Sequence, residues 1–501
     1  MPQLIEFMKS GEVTFEELQQ LGLPYFKQDE IRKFLAEKDI WEAAKMTQEG
    51  INNYLATYPN GFFVDEAGAA MTAAKEEGVW QWACDEDNVA AYKRYLSKYP
   101  TGKYAIKAEM RIEELEEIEK NLKEEIFNDM RENFWNYSYM KMRQLYNPQP
   151  LTPEQKDFLA SQDDAYSRFV ANGLKLTHQD LIDNGVVPEG VTQSEVSSPE
   201  FTMPATKIEE LGMFPKDRTD IFFLGVPRSG KSSVLSGVIY QLWRDGFAGY
   251  EPQLVNGVDP CMAYYQGLIR AVATKKPPVG TATDTVSFMK IDLVHGKRRN
   301  KLTIVEMAGE AFKRAAERIA KGNGNQEEVW KELGAEQCLR SKNQKMLFFV
   351  LDYSAVKGIN EACSAFDQLE ILESALRTLS TDGPDPQNPR KGCTMSRVET
   401  VAVLVTKSDL MQQSTVQGRL AEARAYMEDN FKNFMRELMD MSREFGCNRV
   451  NDYRPYFLTF SLGNFYVGNT VVFNPDDSKR IIDFIRTATP SESIDRFRFF
   501  N

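Results

Sequence analysis

Histidine is nearly absent from this chain of 501 residues: only His178 and His295 occur, and two histidines cannot by themselves build a zinc site. The six cysteines, at positions 84, 261, 338, 363, 393 and 447, lie far apart with no C-x-x-C spacing. Neither a disulfide framework nor structural zinc is expected. Long apolar runs are missing too; Met346 to Leu351 is strand-length and far too short to span a bilayer. The N-terminus, MPQLIEFMKSGE, has no basic segment followed by an apolar core, so no signal peptide is expected and a reducing cytoplasm is the default. Basic residues are outnumbered, 61 Lys and Arg against 73 Asp and Glu, for a net charge of −12. That leaves no global basic field, and nucleic acid is not an expected partner.

What is present divides the chain into unlike halves, against a length prior of roughly three domains of about 150 residues. In the first part "YLATYPNGFFVDEA" (Tyr54 to Ala67) recurs as "YLSKYPTGKYAIKA" (Tyr95 to Ala108), with Trp41 matching Trp82 at the same offset. The repeat predicts two helical hairpins, each turned by Tyr-Pro-x-Gly, with the two tryptophans as equivalent core anchors. "TFEELQQLGL" (Thr14 to Leu23) and "THQDLIDNGV" (Thr177 to Val186) share a capping-box start, a short amphipathic helix and a glycine stop, as small docking modules would. Ile112, Leu115, Ile118, Leu122 and Ile126 form one helical stripe inside an acidic run. The expected organisation is a helical repeat region over 1–128, a small helical module over 129–186, a Pro-, Ser- and Thr-rich linker over 187–212, an α/β domain over 213–493 and a tail over 494–501.

From about residue 213 strand patterns alternate with helix patterns, which predicts a mainly parallel sheet covered on both faces by helices. Expected strands are 220–226, 287–295, 301–307, 345–353, 398–406 and 454–461; expected helices are 233–245, 360–379, 419–445 and 475–486. "GVPRSGKSS", Gly225 to Ser233, stands between the first strand and the first helix. In that context the spelling G-x-x-x-x-G-K-S has a mechanism: backbone N–H groups around Arg228, Ser229, Gly230, Lys231 and Ser232 point at a β-phosphate, assisted by the helix N-terminus. Lys231 would reach the β- and γ-oxygens, and the Ser232 hydroxyl would ligate magnesium.

The later motifs extend the pattern. "KLTIVEMAGE" supplies Glu306, Gly309 and Glu310 after a strand, and "VAVLVTKSDL" supplies Thr406, Lys407 and Asp409 after another. With these residues in this order, the chain resembles P-loop GTPases of the class that includes Ras-like switches, translation factors and dynamins. The resemblance covers roughly Phe214 to Thr489 and implies a P-loop GTPase-type sheet, GTP as substrate, GDP as product and Mg2+ as cofactor. It implies Glu306 in the place of the aspartate that bonds to magnesium's water, one methylene longer. Gly309 becomes the γ-phosphate sensor and Glu310 stands where the water-orienting glutamine occurs. Asp409 would accept from guanine's N1–H and exocyclic amine while the Lys407 stem lies along the base. Ser461, in "YFLTFSLGN", takes the place of a serine near the guanine oxygen, with Leu462 departing from the usual alanine. Among Thr281, Thr283 and Thr285, Thr283 has the spacing of the switch I magnesium ligand. Arg228 replaces an asparagine that helps hold potassium in many bacterial members; its guanidinium would either take over that ion's charge or point into solvent at the loop tip. The A-G-E spelling and the helical region also resemble bacterial GTPases of conflict and defence systems. The implied function is a slow GTP-hydrolysing switch that meets a protein partner through its N-terminal helices or switch segments; the alternative is a nucleotide-binding scaffold with a degenerate site.

Overall fold

Turn and cap chemistry shape the N-terminal residues. The computed structural model describes residues 2–20, 22, 25–204, 213–279, 286–307, 336–357, 364–385 and 387–494, and the chain divides into two compact units, Met1–Glu125 and Ile126–Asn501. The first holds α1 (Pro2–Lys9), α2 (Phe15–Gln20), α3 (Tyr25–Ala44), α4 (Gln48–Thr57), α5 (Val64–Glu86), α6 (Val89–Lys98) and the start of α7 (Ala105–Glu132). Thr47 and Asn88 cap α4 and α6 by accepting from the backbone N–H groups of Gly50 and Ala91.

One carboxylate closes each Tyr-Pro turn. Glu37 accepts from the Tyr54 hydroxyl (2.5 Å) and the Phe62 N–H (2.5 Å), and Glu76 accepts from the Tyr95 hydroxyl (2.5 Å) and the Lys103 N–H (2.7 Å). Each tyrosine oxygen in turn accepts from the backbone that leads into the next helix, from Phe63 N–H and Tyr104 N–H at 3.1 Å. Burial and the bond to Glu76 push the Tyr95 hydroxyl up to about 12. Glycine at these turns leaves room for the latch, because a Cβ on Gly61 or Gly102 would lie 2.3 Å from its glutamate oxygen and displace it.

These paired contacts correct the equivalence expected of the tryptophans. Trp41 is buried against Tyr54 and Phe63, with ring centroids at 5.1 and 6.3 Å. The residue that meets Tyr95 edge-on at 5.4 Å and stacks on Tyr104 at 4.7 Å is Trp80. Trp82 is 36% exposed and carries the Arg94 guanidinium on its face. The second hairpin has two more residues between its tryptophan and its tyrosine, taken up by the length of α5, so a constant offset selects the wrong indole. The stripe along α7 is likewise buried at Ile112 and Ile126 but open at Ile118, 41% exposed.

The second unit begins with short capped helices, α8 (Tyr139–Tyr146), α9 (Pro153–Ala160), α10 (Ala165–Ala171), α11 (His178–Asp183) and α12 (Gln193–Ser197), then β1 (Phe201–Thr202). The expected capping box at Thr177 and Asp180 is present, and Thr192 with Glu195 forms another. Residues 187–204 are therefore not a linker: Val187, Val191, Val196 and Met203 are buried, and β1 pairs in parallel with Pro278–Val279. The module expected over 129–186 belongs to the same unit as the sheet.

The sheet follows as β2 (Thr219–Leu224), α13 (Lys231–Arg244), β3 (Ala248–Tyr250), α14 (Met262–Ala273), β4 (Pro278–Val279), β5 (Val286–His295), β6 (Arg298–Met307), α15 (Glu336–Leu339), β7 (Gln344–Asp352), α16 (Ala365–Thr381), β8 (Val398–Thr406), α17 (Val416–Asn430), α18 (Lys432–Phe445), β9 (Tyr456–Phe460), β10 (Gly463–Tyr466), β11 (Thr470–Phe473), α19 (Pro475–Ala488) and β12 (Glu492–Ser493). Among the described residues the main sheet runs β3-β5-β6-β2-β7-β8-β9, with β12 on β6. The β6, β2, β7, β8 and β9 pairings are parallel, and the β5–β6 pairing is antiparallel. Alternation along β2 divides the core: Ile221 and Phe223 pack with α13, α14 and α19, whereas Phe222 and Leu224 pack with α16, α17 and α18. The helix expected over 419–445 is two helices, broken where buried Phe431 leaves the helical conformation at φ −130°.

Residues upstream of the sheet are part of its packing. Met203 is buried in the α13–α14 layer, Pro204 Cδ lies 2.8 Å from where a Gly267 Cβ would be, Tyr137 O accepts from Gly468 N–H at 2.7 Å, and Glu200 accepts from Asn469 at 2.6 Å. A fragment of residues 208–501 loses all of these, whereas 126–501 keeps them. The shorter fragment is expected to melt lower or aggregate, by at least the roughly 1.5–3 kcal/mol of one exposed Met pocket; equal thermal stability of the two fragments would refute this.

Candidate functional site

Parallel strands deliver their successors to one edge of a sheet, and loops at that carboxyl edge are where ligand-binding groups collect in α/β folds. Here the loop after β2, the end of β6, the end of β7 and the loops after β8 and β9 all open on that edge.

The loop from Gly225 to Gly230 is tightly held. A Cβ on Gly225 would lie 2.3 Å from the Val350 carbonyl of β7, so the neighbouring strand demands glycine there. Gly230 caps α13 at φ +86°, where L side chains are strained, and its Cα faces the Thr406 side chain. Arg228 also adopts a left-handed φ of +62° and is exposed at the loop tip. Ser229 is fully buried; its carbonyl accepts from the Thr406 hydroxyl at 2.6 Å, while its own hydroxyl has no hydrogen-bond partner among the described residues. Ser233 follows in the first turn of α13, half-buried. The buried Lys231 ammonium donates to the carbonyls of Gly225 (2.9 Å) and Val226 (2.8 Å), folding back across the loop.

Glu306 comes to this loop from β6, where it stands opposite Phe223 of β2. Its carboxylate accepts from the Ser232 hydroxyl at 2.6 Å. Complete burial pushes the Glu306 carboxyl up, while the Ser232 hydrogen bond and the Lys231 charge pull the other way. Ser232 and Glu306 thus present hard oxygen donors beside the loop. Among the described residues no group of three or more His, Cys, Asp or Glu could hold a metal ion. The donor set fits magnesium, which is commonly bound through one or two protein oxygens and completes its shell with phosphates and water. Thr283, Gly309 and Glu310 lie outside the described residues, as does the insertion over 311–333.

Thr406 and Lys407 join the Gly225–Gly230 loop to a neighbouring pocket. Lys407, at φ +56°, donates to Asp352 (2.6 Å) and to Ser354 (3.0 Å). Asp352, fully buried at the end of β7, also accepts from the N–H and hydroxyl of Ser354 at 2.8 and 2.6 Å. Sequence reasoning missed it, although a carboxylate ending the apolar run "LFFVL" was the available signal. Beyond Lys407 a cavity of about 340 Å³ is lined by Ser408, Asp409, Thr415, Arg419, Ser461 and Asp477 among others. Asp409 meets solvent at its mouth but is otherwise enclosed by protein; this desolvation raises its carboxyl, while a hydrogen bond to Ser461 and the charge of Lys407 lower it. Ser461 donates its hydroxyl to the Gly463 carbonyl at 2.8 Å.

No family model matches the chain, and no curated protein matches it. No helix of the described residues is long and apolar enough to cross a membrane.

Proposed function

We propose that the second unit binds GTP and hydrolyses it with magnesium, as a P-loop GTPase-type switch. The observation that carries the reading is the 2.6 Å contact between Ser232 and Glu306, two motif residues 74 positions apart that meet beside the loop of Gly225–Ser233. The mainly parallel sheet with its motifs at one edge supports it. Phosphate binding draws Lys231 from the Gly225 and Val226 carbonyls onto β- and γ-oxygens, and the backbone N–H groups of Arg228 to Ser232 surround the β-phosphate. Magnesium held at Ser232, Glu306 and Thr283 would neutralise phosphate charge. Glu310 would orient the attacking water, Gly309 would sense the γ-phosphate, and the exposed Arg228 would add positive charge near the transferring group. Asp409 and Ser461 read guanine, with Lys407 braced by Asp352 alongside. The helical repeats and switch segments would engage a protein partner, in a setting such as bacterial defence.

Nucleotide competition tests the base assignment. GTP is expected to displace a fluorescent GTP analogue far better than ATP, because adenine leaves the Asp409 acceptors unmatched at roughly 1–3 kcal/mol for each group. Equal displacement would overturn the reading. Single-turnover hydrolysis then separates a switch from a scaffold: GTP bound and never cleaved, with or without magnesium, favours the scaffold.

A further inference from the structure

We infer that Asp477 is a positioning residue that sets base selectivity by tying together the two loops that face the base. This rests on the nucleotide-site reading above. Asp477 lies in the first turn of α19 and is 5% exposed. Its Oδ2 accepts from the Ser461 N–H at 2.8 Å and from the Ser408 hydroxyl at 3.3 Å. Ser408 sits between Lys407 and Asp409 in the loop after β8, and Ser461 begins the loop after β9. One carboxylate oxygen therefore fixes the spacing between Asp409 and Ser461 across the cavity that both line.

The rest of the residue's surroundings show why a carboxylate is needed. Oδ1 meets the Arg419 guanidinium at 3.3 Å and also pairs with Arg480, so a single buried charge separates two cations. Capping does not account for it, since the α19 N-terminus is already capped by Asn474, which accepts from the Asp476 N–H at 3.0 Å. An amide at position 477 keeps the shape but offers one accepting oxygen instead of two, so it cannot serve the Ser461–Ser408 arm and the arginine arm together. The loops then lose their common anchor while the phosphate loop, held by Thr406 and β7, keeps its own contacts.

The test is displacement binding of GTP, ITP and ATP to the full chain carrying Asp477→Asn or Ser408→Ala, with thermal melting as a check on folding. Asp477→Asn is expected to lower the GTP/ATP affinity ratio by about tenfold or more, as befits loss of a charged hydrogen-bond anchor, with ATP affinity changed less than about twofold. Ser408→Ala removes one arm only and should shift the ratio in the same direction by a smaller factor. ITP, which lacks the exocyclic amine, should respond less than GTP. A ratio unchanged in both variants overturns the assignment, and so does an equal loss of GTP and ATP binding, which would mark Asp477 as merely structural. If Asp477→Asn fails to fold, Ser408→Ala decides alone. A wild-type chain that does not prefer GTP would instead overturn the nucleotide-site reading, a result distinct from these.

Discussion

Lys231→Ala is expected to weaken GTP binding by about 100-fold or more and to abolish measurable hydrolysis, since hydrogen bonds to charged groups contribute about 1.5–3 kcal/mol each and the lysine would make two to phosphate. The structure adds a refinement. The Lys231 ammonium also donates to the Gly225 and Val226 carbonyls, so any phosphate contact made at their expense contributes less than a wholly new hydrogen bond. The same substitution removes the internal donor that holds those carbonyls. Isothermal titration with GTP and with GDP distinguishes the two effects: loss of the γ-phosphate contact penalises GTP more, whereas a slack loop penalises both alike. GTP affinity within threefold of the wild type would overturn the phosphate role.

Trp41→Ala is expected to destabilise the first unit by about 3–5 kcal/mol, the range for a buried tryptophan truncated to alanine. Trp80→Ala should follow at about 2–3 kcal/mol, because that indole is only half-buried although it stacks on Tyr104. Trp82→Ala should cost less than about 1 kcal/mol, the scale of an exposed cation–π contact. Amide hydrogen exchange over α4 and α6 in the full chain measures all three. A larger loss from Trp82 than from Trp80 would restore the constant-offset alignment and overturn the contact-based one.

The tryptophans show where sequence reading reaches its limit. The Tyr-Pro-x-Gly turns were legible because turn chemistry is local, but the indole that meets each turn comes from the preceding helix, and its spacing to the turn tyrosine differs by two residues between copies. Strands β2, β5, β6, β7, β8 and β9 were legible as apolar runs with turn residues at their ends. Residues 187–204 resembled a linker because their burial is carried by a few separated side chains, Val187, Val191, Val196 and Met203, too sparse to show a period. Within the site, Gly225 to Ser233, Glu306, Thr406, Lys407, Asp409 and Ser461 could be picked out by spelling. Asp477 could not, and the strand-end signal of Asp352 was too weak alone, since a carboxylate at a strand end or in a helix's first turn has common structural uses and the partners it meets in space distinguish it.

The glutamate latches of the first unit also bear on the order in which the chain acquires structure. Glu37 and Phe62 are 25 residues apart and Glu76 and Lys103 are 27, so each hairpin closes a short loop at little entropic cost. The second unit depends on far longer closures: Glu200 to Asn469 spans 269 residues, and Arg299 to Glu492 spans 193. Low contact order favours rapid folding, and domains emerging first from the ribosome fold first. The helical hairpins are therefore expected to be native while the sheet still awaits its last helix and strand, leaving the ribosome-bound chain with a finished first unit beside a sheet whose apolar faces are not yet covered.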